Sequence, residues 1–274
     1  MTPASDRTAE ASIPADVHVR YRATDALGED ALNAAVALLS SEERARHERF
    51  RVERDRREFA VAHALLRTTL SQFGGLPPDA WRFDSGPHGK PVLAHGVSRT
   101  PLAFNLSHAR GLVACVVVPG APGARGSDVA AATREVAVGL DVECVTRSTD
   151  WRGIASRYFS RAEIGQIDRV TEDAQATRFF ELWTLKEAFA KALGLGLSQA
   201  LDATTFELER TGAIACTLPP EVAPAAWYFA LYTPTPTHRL AVAVSDGTAR
   251  RWGISVQRGE GAGERLAPSR TSED

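Results

Sequence analysis

The sequence predicts an α+β fold in two halves, on three observations. Two long segments, residues 42–73 and 172–193, have helical apolar spacing. Short strand-like segments follow each of them. A Pro/Gly/Ala-rich connector, residues 119–135, separates the two groups.

In chain order, residues 1–15 are polar and rich in Ala, Ser and Thr, and are expected to be disordered. Residues 30–39 and 42–73 read as helices. The second is amphipathic through Phe59, Ala62, Leu66 and Leu70, and is ended by Gly74-Gly75 and Pro77-Pro78. Residues 80–84 read as a short strand and 85–91, SGPHGKP, as a loop. Residues 104–106 and 112–118 are strand-like, and a link containing Ser107, His108 and Gly111 makes them a hairpin. Beyond the connector, 136–145 reads as a strand and 149–170 and 172–193 as helices, with Gly194 as C-cap. Strands at 204–209 and 214–218 and a hairpin from 227–232 to 240–244 follow. Residues 257–274 are expected to be disordered, and no sequence repeat links the halves.

Composition excludes several classes. The chain of 274 residues is 44% hydrophobic and 24% charged, ordinary globular material. A net charge of −2 gives no global pull toward nucleic acid or membrane. The three cysteines, Cys115, Cys144 and Cys216, are scattered and odd in number, which argues against a disulfide framework or zinc site and for a reducing cytosol. The N-terminus has no apolar signal region, and no apolar run approaches the ~20 residues of a membrane span.

Four stretches carry chemistry. In VAVGLDVE, residues 136–143, alternation turns Val136, Val138, Leu140 and Val142 to one face and Gly139, Asp141 and Glu143 to the other. Two adjacent carboxylates repel, and a hard divalent cation such as magnesium relieves that; an isolated pair of this kind is otherwise ordinary hydrated surface. In WTLKEAFAK, residues 183–191, Trp183, Glu187 and Lys191 share one helix stripe. Glu187 and Lys191 make either a surface pair or a third acid with a phosphate-binding lysine one turn on. In FNLSH, residues 104–108, Ser107 and His108 are adjacent, so their side chains diverge, and no G-x-S-x-G elbow supports a serine hydrolase. Gly89-Lys90-Pro91 lacks the P-loop pattern but offers N–H groups and a point charge to a phosphate.

The order of these motifs, G-K-P, N-L-S-H, G-L-D-V-E and W-T-L-K-E-A-F-A-K, resembles the 4'-phosphopantetheinyl transferases of the Sfp type over about residues 40–201. The resemblance implies two similar α+β halves related by a pseudo-twofold axis, about 16–125 and 136–250, with coenzyme A in the cleft between them. It puts magnesium on Asp141, Glu143 and Glu187. It puts coenzyme A contacts on Gly89, Lys90, Pro91, Ser107, His108, Asp141, Lys186 and Lys191, and the 3'-phosphate on Arg57 or Arg56, with Arg44 and Arg46 as alternatives. Glu187, with Glu143 as the alternative, becomes the general base, and Lys191 and His108 balance charge. The implied activity is transfer of phosphopantetheine from coenzyme A to a serine of an apo-acyl or peptidyl carrier protein, releasing 3',5'-ADP. The protein is expected to be a cytoplasmic monomer. A non-catalytic coenzyme A or carrier-binding module and a metal-dependent phosphatase are the competing readings.

Overall fold

Two four-stranded sheets form the centre of the computed structural model, which describes residues 16–86, 90–120, 136–194, 203–222, 226–259 and 265–272. One contains β1 (Val17–Ala23), β4 (Leu102–Ala109), β5 (Leu112–Pro119) and β11 (Ile254–Arg258), in the order β11-β1-β5-β4. The other contains β6 (Ala137–Cys144), β9 (Tyr228–Thr235), β10 (His238–Ser245) and β12 (Arg270–Thr271), in the order β12-β9-β10-β6. Strand alternation sends Val17, Val19 and Tyr21 of β1, Val116 of β5, Val138, Leu140 and Val142 of β6 and Val242 of β10 into one core shared by both sheets. The opposite faces take helices. Val113, Cys115 and Val117 pack against α3 (Glu53–Gly74), and Phe229, Leu231, Ala241 and Ala243 against α6 (Glu172–Leu193).

The remaining elements repeat in the same order in each half. α1 (Glu29–Ala37) and α2 (Ser41–Glu48) precede α3, while α4 (Trp151–Tyr158) and α5 (Arg161–Asp168) precede α6. Small hairpins follow: β2 (Phe83–Ser85) with β3 (Pro91–Leu93), and β7 (Thr205–Leu208) with β8 (Ile214–Thr217). The long hairpins β4–β5 and β9–β10 complete each half, with β1 and β6 antiparallel to β5 and β10 respectively.

The helix expected over 42–73 is two helices, and so is the one expected over 149–170. The second helix of each pair begins independently: Val52 is extended before α3, and Ser160 before α5. The sequence carried a start signal in both halves. Ser40-x-x-Glu43 and Ser160-x-x-Glu163 are capping boxes, each with the serine hydroxyl and glutamate carboxylate bonded reciprocally to backbone N–H groups. Both glutamates also reach a long helix. Glu43 binds Arg67 Nη2 at 2.7 Å and His63 Nδ1 at 2.8 Å, and Glu163 binds Lys186 Nζ at 3.0 Å and accepts from the Phe206 N–H at 3.0 Å.

At the seam between the sheets, β4 runs beside β6 without a ladder. Asn105 Oδ1 accepts the Leu140 N–H at 3.0 Å, and Ser107 Oγ accepts the Val142 N–H at 3.2 Å. These side chains satisfy a strand edge that would otherwise lose about 1–3 kcal/mol per buried donor.

The expectation of disorder over 257–274 is corrected where residues are described. β11 pairs with β1 in parallel, the Leu266 N–H bonds to the Val256 carbonyl at 2.8 Å, and β12 pairs with β9. The segment's Gly, Ser and charged residues read as polar coil, and its order comes from two open strand edges that local sequence does not show. Residues 1–15 and most of the connector, 121–135, lie outside the described residues. Among the described residues no helix is long and apolar enough to cross a membrane.

Candidate active site

Gly139 sets the geometry of the site. A Cβ there would lie 2.5 Å from the Ala192 nitrogen and closer still to the Ala188 carbonyl oxygen. Its absence lets the α6 backbone rest directly on β6. Asp141 and Glu143 share the Gly139 face of β6, so the helix stripe bearing Trp183, Glu187 and Lys191 comes down over both acids.

Lys191 Nζ lies 2.7 Å from Asp141 Oδ1 and donates to Ser107 Oγ at 2.9 Å, while Ser107 Oγ donates to the same Asp141 oxygen at 3.0 Å. Lys90 Nζ crosses from the other half to the Lys191 carbonyl at 2.9 Å. Glu143 Oε1 accepts from Trp183 Nε1 at 3.0 Å and from Arg147 Nη2 at 3.2 Å. Ser107, His108, Arg110, Asp141, Glu143, Arg147 and Lys191 line an open pocket of about 310 Å³.

Electrostatics follow from crowding like charges in a partly dry place. Burial, and then the Asp141 charge, push both Glu143 and Glu187 up to about 7. Lys90 and His108 shift the other way: burial, and then the Lys191 ammonium, lower both. His108 nevertheless presents surface to solvent at the pocket mouth.

Two buried carboxylate oxygens of the site, Asp141 Oδ2 and Glu187 Oε1, have no hydrogen-bond partner, and neither has Arg147 Nε. Orphaned carboxylate oxygens on facing elements suit a hard divalent cation. Among the described residues no three His, Cys, Asp or Glu side chains already form a metal cage. Glu143 is the acid turned elsewhere, toward Trp183 and Arg147.

The structure thus gathers Lys90, Ser107, His108, Asp141, Glu143, Glu187 and Lys191, with half-buried Pro91 opening β3 beside them. Gly89 lies outside the described residues. Lys186 does not reach the pocket, which corrects its expected coenzyme A contact. One residue before Glu187 on the helix, it points to the far face, is fully buried, pairs with Glu163 and donates to the Thr204 carbonyl. Arg57 donates to the Leu27 carbonyl at 2.8 Å, tying α3 to the approach of α1. Arg56 pairs with Glu53, Arg44 donates to the Leu39 carbonyl, and Arg46 lies over the Phe59 ring. Arg110 and Arg147 were not singled out from sequence. One sits in a hairpin turn and the other just past a strand, so no periodicity marks them. Asn105 lies within the N-L-S-H motif, but its seam contact with Leu140 joins residues 35 apart and has no local signal.

Comparison with known proteins covers both halves of the chain. The family model described as "4'-phosphopantetheinyl transferase superfamily" matches residues 137–245, and that described as "4'-phosphopantetheinyl transferase, N-terminal" matches 28–119. The 4'-phosphopantetheinyl transferase psf-1 of Bacillus pumilus is 31% identical over 205 residues, covering 75% of this chain and 78% of psf-1. The 4'-phosphopantetheinyl transferase HetI of Nostoc sp. is 32% identical over 171 residues; the match covers 62% of this chain and 66% of HetI, just under two thirds of its length. The crystal structure of Thermotoga maritima holo-[acyl-carrier-protein] synthase aligns at a TM-score of 0.33 and 23% identity, covering 40% of this chain and 64% of that one.

Proposed function

The chain belongs to the 4'-phosphopantetheinyl transferase family, and from that premise we propose that it moves the 4'-phosphopantetheine group of coenzyme A onto a serine of an apo-carrier protein. The observation that carries this reading is the orphaned Asp141 oxygen in an open pocket, with a second orphaned acid oxygen on Glu187 of the facing helix and Lys191 Nζ 2.7 Å from Asp141 Oδ1.

In the proposed reaction the carrier serine oxygen bonds to the β-phosphorus of coenzyme A, the bridging P–O bond breaks, and 3',5'-ADP leaves. Phosphoryl transfer of this kind needs positioning and charge neutralisation above all. Lys90 and Lys191 meet the pyrophosphate, His108 stands beside it, and Ser107 keeps Lys191 and Asp141 in register. Asp141 and Glu187, joined by Glu143, would hold a magnesium ion, which when bound supplies further neutralisation of the pyrophosphate. Glu187 takes the serine proton; Glu143, acting through water, is the alternative. Arg57 remains our candidate for the 3'-phosphate through N–H groups not spent on Leu27, and Gly89 and Pro91 shape the phosphate loop. The halves at about 16–125 and 136–250 form the two walls of the cleft, and we take the protein to work as a cytoplasmic monomer.

The test is intact-mass analysis of a panel of apo-acyl and peptidyl carrier proteins incubated with the protein, magnesium and coenzyme A. The expected result is a mass gain of one phosphopantetheine on at least one carrier, with 3',5'-ADP formed only in its presence. Coenzyme A binding with no carrier modified would favour a binding module, and 3',5'-ADP released without carrier would favour a phosphatase.

A further inference from the structure

Of the three acids at the site, Glu143 alone has a cationic nitrogen beside both of its oxygens. Its side chain is 12% exposed, and Trp183 Nε1 and Arg147 Nη2 both donate to Oε1, at 3.0 and 3.2 Å. Arg147 Nε lies 3.2 Å from Oε2 as an ion-pair contact without hydrogen-bond geometry, so Oε2 is held by charge alone. Arg147 is in turn seated over the Phe180 ring, 5.3 Å from its centroid. Asp141 Oδ2 and Glu187 Oε1, by contrast, are left open.

We propose that Arg147 is an internal counter-ion that holds Glu143 away from the divalent-cation position, so that the site is only partly assembled until a cation draws Glu143 off the guanidinium. The proposal rests on the metal reading above and adds to it a positioning residue. Its physical content is a competition. The fork of an arginine fits a carboxylate better than a single ammonium does, and a neighbouring positive charge also opposes a second cation. Removing the guanidinium frees Glu143 as a ligand and lifts that repulsion, so both effects tighten cation binding. Trp183 supplies a built-in reporter, because its indole N–H loses a partner when Glu143 turns.

The experiment measures Mn²⁺ binding to the full chain, by titration calorimetry and by electron spin resonance of free Mn²⁺. It compares the parent, Arg147→Met, Arg147→Lys, Glu143→Gln and the double variant Glu143→Gln/Arg147→Met, each with and without coenzyme A. Circular dichroism confirms the fold; Arg147 is 38% exposed at the pocket rim, and the lysine variant keeps its charge. The expected result is about tenfold tighter Mn²⁺ binding in Arg147→Met, a smaller gain in Arg147→Lys, and a clearly smaller gain from Arg147→Met in the Glu143→Gln background, where only the lifted repulsion remains. Mn²⁺ should also change the Trp183 emission of the parent, as judged against Trp183→Phe. An unchanged or weaker affinity in Arg147→Met, or an equal gain in both backgrounds, overturns the counter-ion role and leaves the metal reading standing. No Mn²⁺ binding by any form, coenzyme A included, overturns the metal reading and this proposal with it.

Discussion

Placed side by side, α3 and α6 are the same device with different contents. Each spans 22 residues and ends at a left-handed glycine, Gly75 at φ 71° and Gly194 at φ 68°. Each is tied to the capping-box glutamate of the helix before it, Glu43 to Arg67 and Glu163 to Lys186. Counted back from those glycines, Glu187 and Lys191 stand where the first half has Thr68 and Gln72. Strand register gives the same kind of match: Asp141 and Glu143 oppose Ala241 and Arg239 as Arg20 and Arg22 oppose Cys115 and Val113. Thus Lys191–Asp141 in one half corresponds to Gln72–Arg20 in the other, where Arg20 Nη2 donates to Gln72 Oε1 at 3.2 Å.

The seams differ as well. Beside β6, the neighbouring sheet's β4 leaves a pocket bridged by Asn105 and Ser107. Beside β1, the equivalent edge is taken by β11, and Gln257 of that strand bonds Arg20. One scaffold used twice therefore offers two comparable clefts. Acids and lysines furnish one, and the C-terminal strands fill the other.

The largest expected effect separates the two clefts by chemistry. Asp141→Ala and Glu187→Ala should each lower carrier modification by about two to three orders of magnitude while keeping the fold, since losing a ligand removes several kcal/mol and each ~1.4 kcal/mol is tenfold. Arg20→Met, the counterpart of the Asp141 change, should leave turnover within a few-fold. Near-normal rates in either acid variant at ordinary magnesium would break the contrast.

Removing residues 254–274 should affect stability instead. It bares one edge each of β1 and β9 and uncovers the core around Val256, whose burial alone is worth roughly 1.5–3 kcal/mol. Urea unfolding should show that loss or more, with transfer per folded molecule largely retained. A truncated chain as stable as the parent would mean the tail does not close the second cleft.

Gly139→Ala probes the close approach of helix and strand. The added methyl meets α6 backbone, so about 1–3 kcal/mol of overpacking is expected, together with a fall in kcat as Glu187 and Lys191 are lifted. The matching position in the first half is His18, whose ring lies tilted against Phe73 with centroids 4.2 Å apart; His18→Ala should cost about 1 kcal/mol and no kcat. Equal losses of kcat would show that helix height does not distinguish the halves.

The smallest effect is confined to acid. Burial raises the Glu43 carboxyl, but hydrogen bonds from His63 and the Ser40 N–H and the nearby charges of His63 and Arg67 outweigh it and hold the group at about 2, against 4.5 ordinarily. Because the folded value is depressed, the stabilisation is complete above about pH 4.5 and is lost as pH falls toward 2. Glu43→Gln should therefore flatten the stability–pH curve in that window. A curve as steep as the parent's would place the acid sensitivity elsewhere.

The candidate site was legible because its residues fall in a few short motifs that obey simple periods. Period two placed Asp141 and Glu143 on one strand face, and a 3.6-residue repeat placed Glu187 and Lys191 on one helix stripe. The same helical repeat leaves Lys186 on the opposite face, where it binds Glu163 of α5 and the Thr204 carbonyl just before β7, although its place in the motif suggests the pocket. Long helices are legible as apolar stripes, but the breaks at 49–52 and 159–160 are not, because apolar spacing carries across both, and only the second is marked by a capping box.

By itself the sequence determined the strand and helix faces, the order of the chemical motifs and the half-by-half layout around the connector, all set by local periodicity and near-neighbour chemistry. Tertiary structure gave the strand-by-strand form of the topology that the halves share without sharing sequence, since backbone hydrogen-bond ladders and buried volume specify a fold through many different side chains. It also decided that Arg147 pairs with Glu143 and that described parts of the polar C-terminal segment become strands. Those outcomes depend on groups far apart in the chain, Asn105 with Leu140, Glu143 with Trp183 and β11 with β1, which meet only once the sheets have formed.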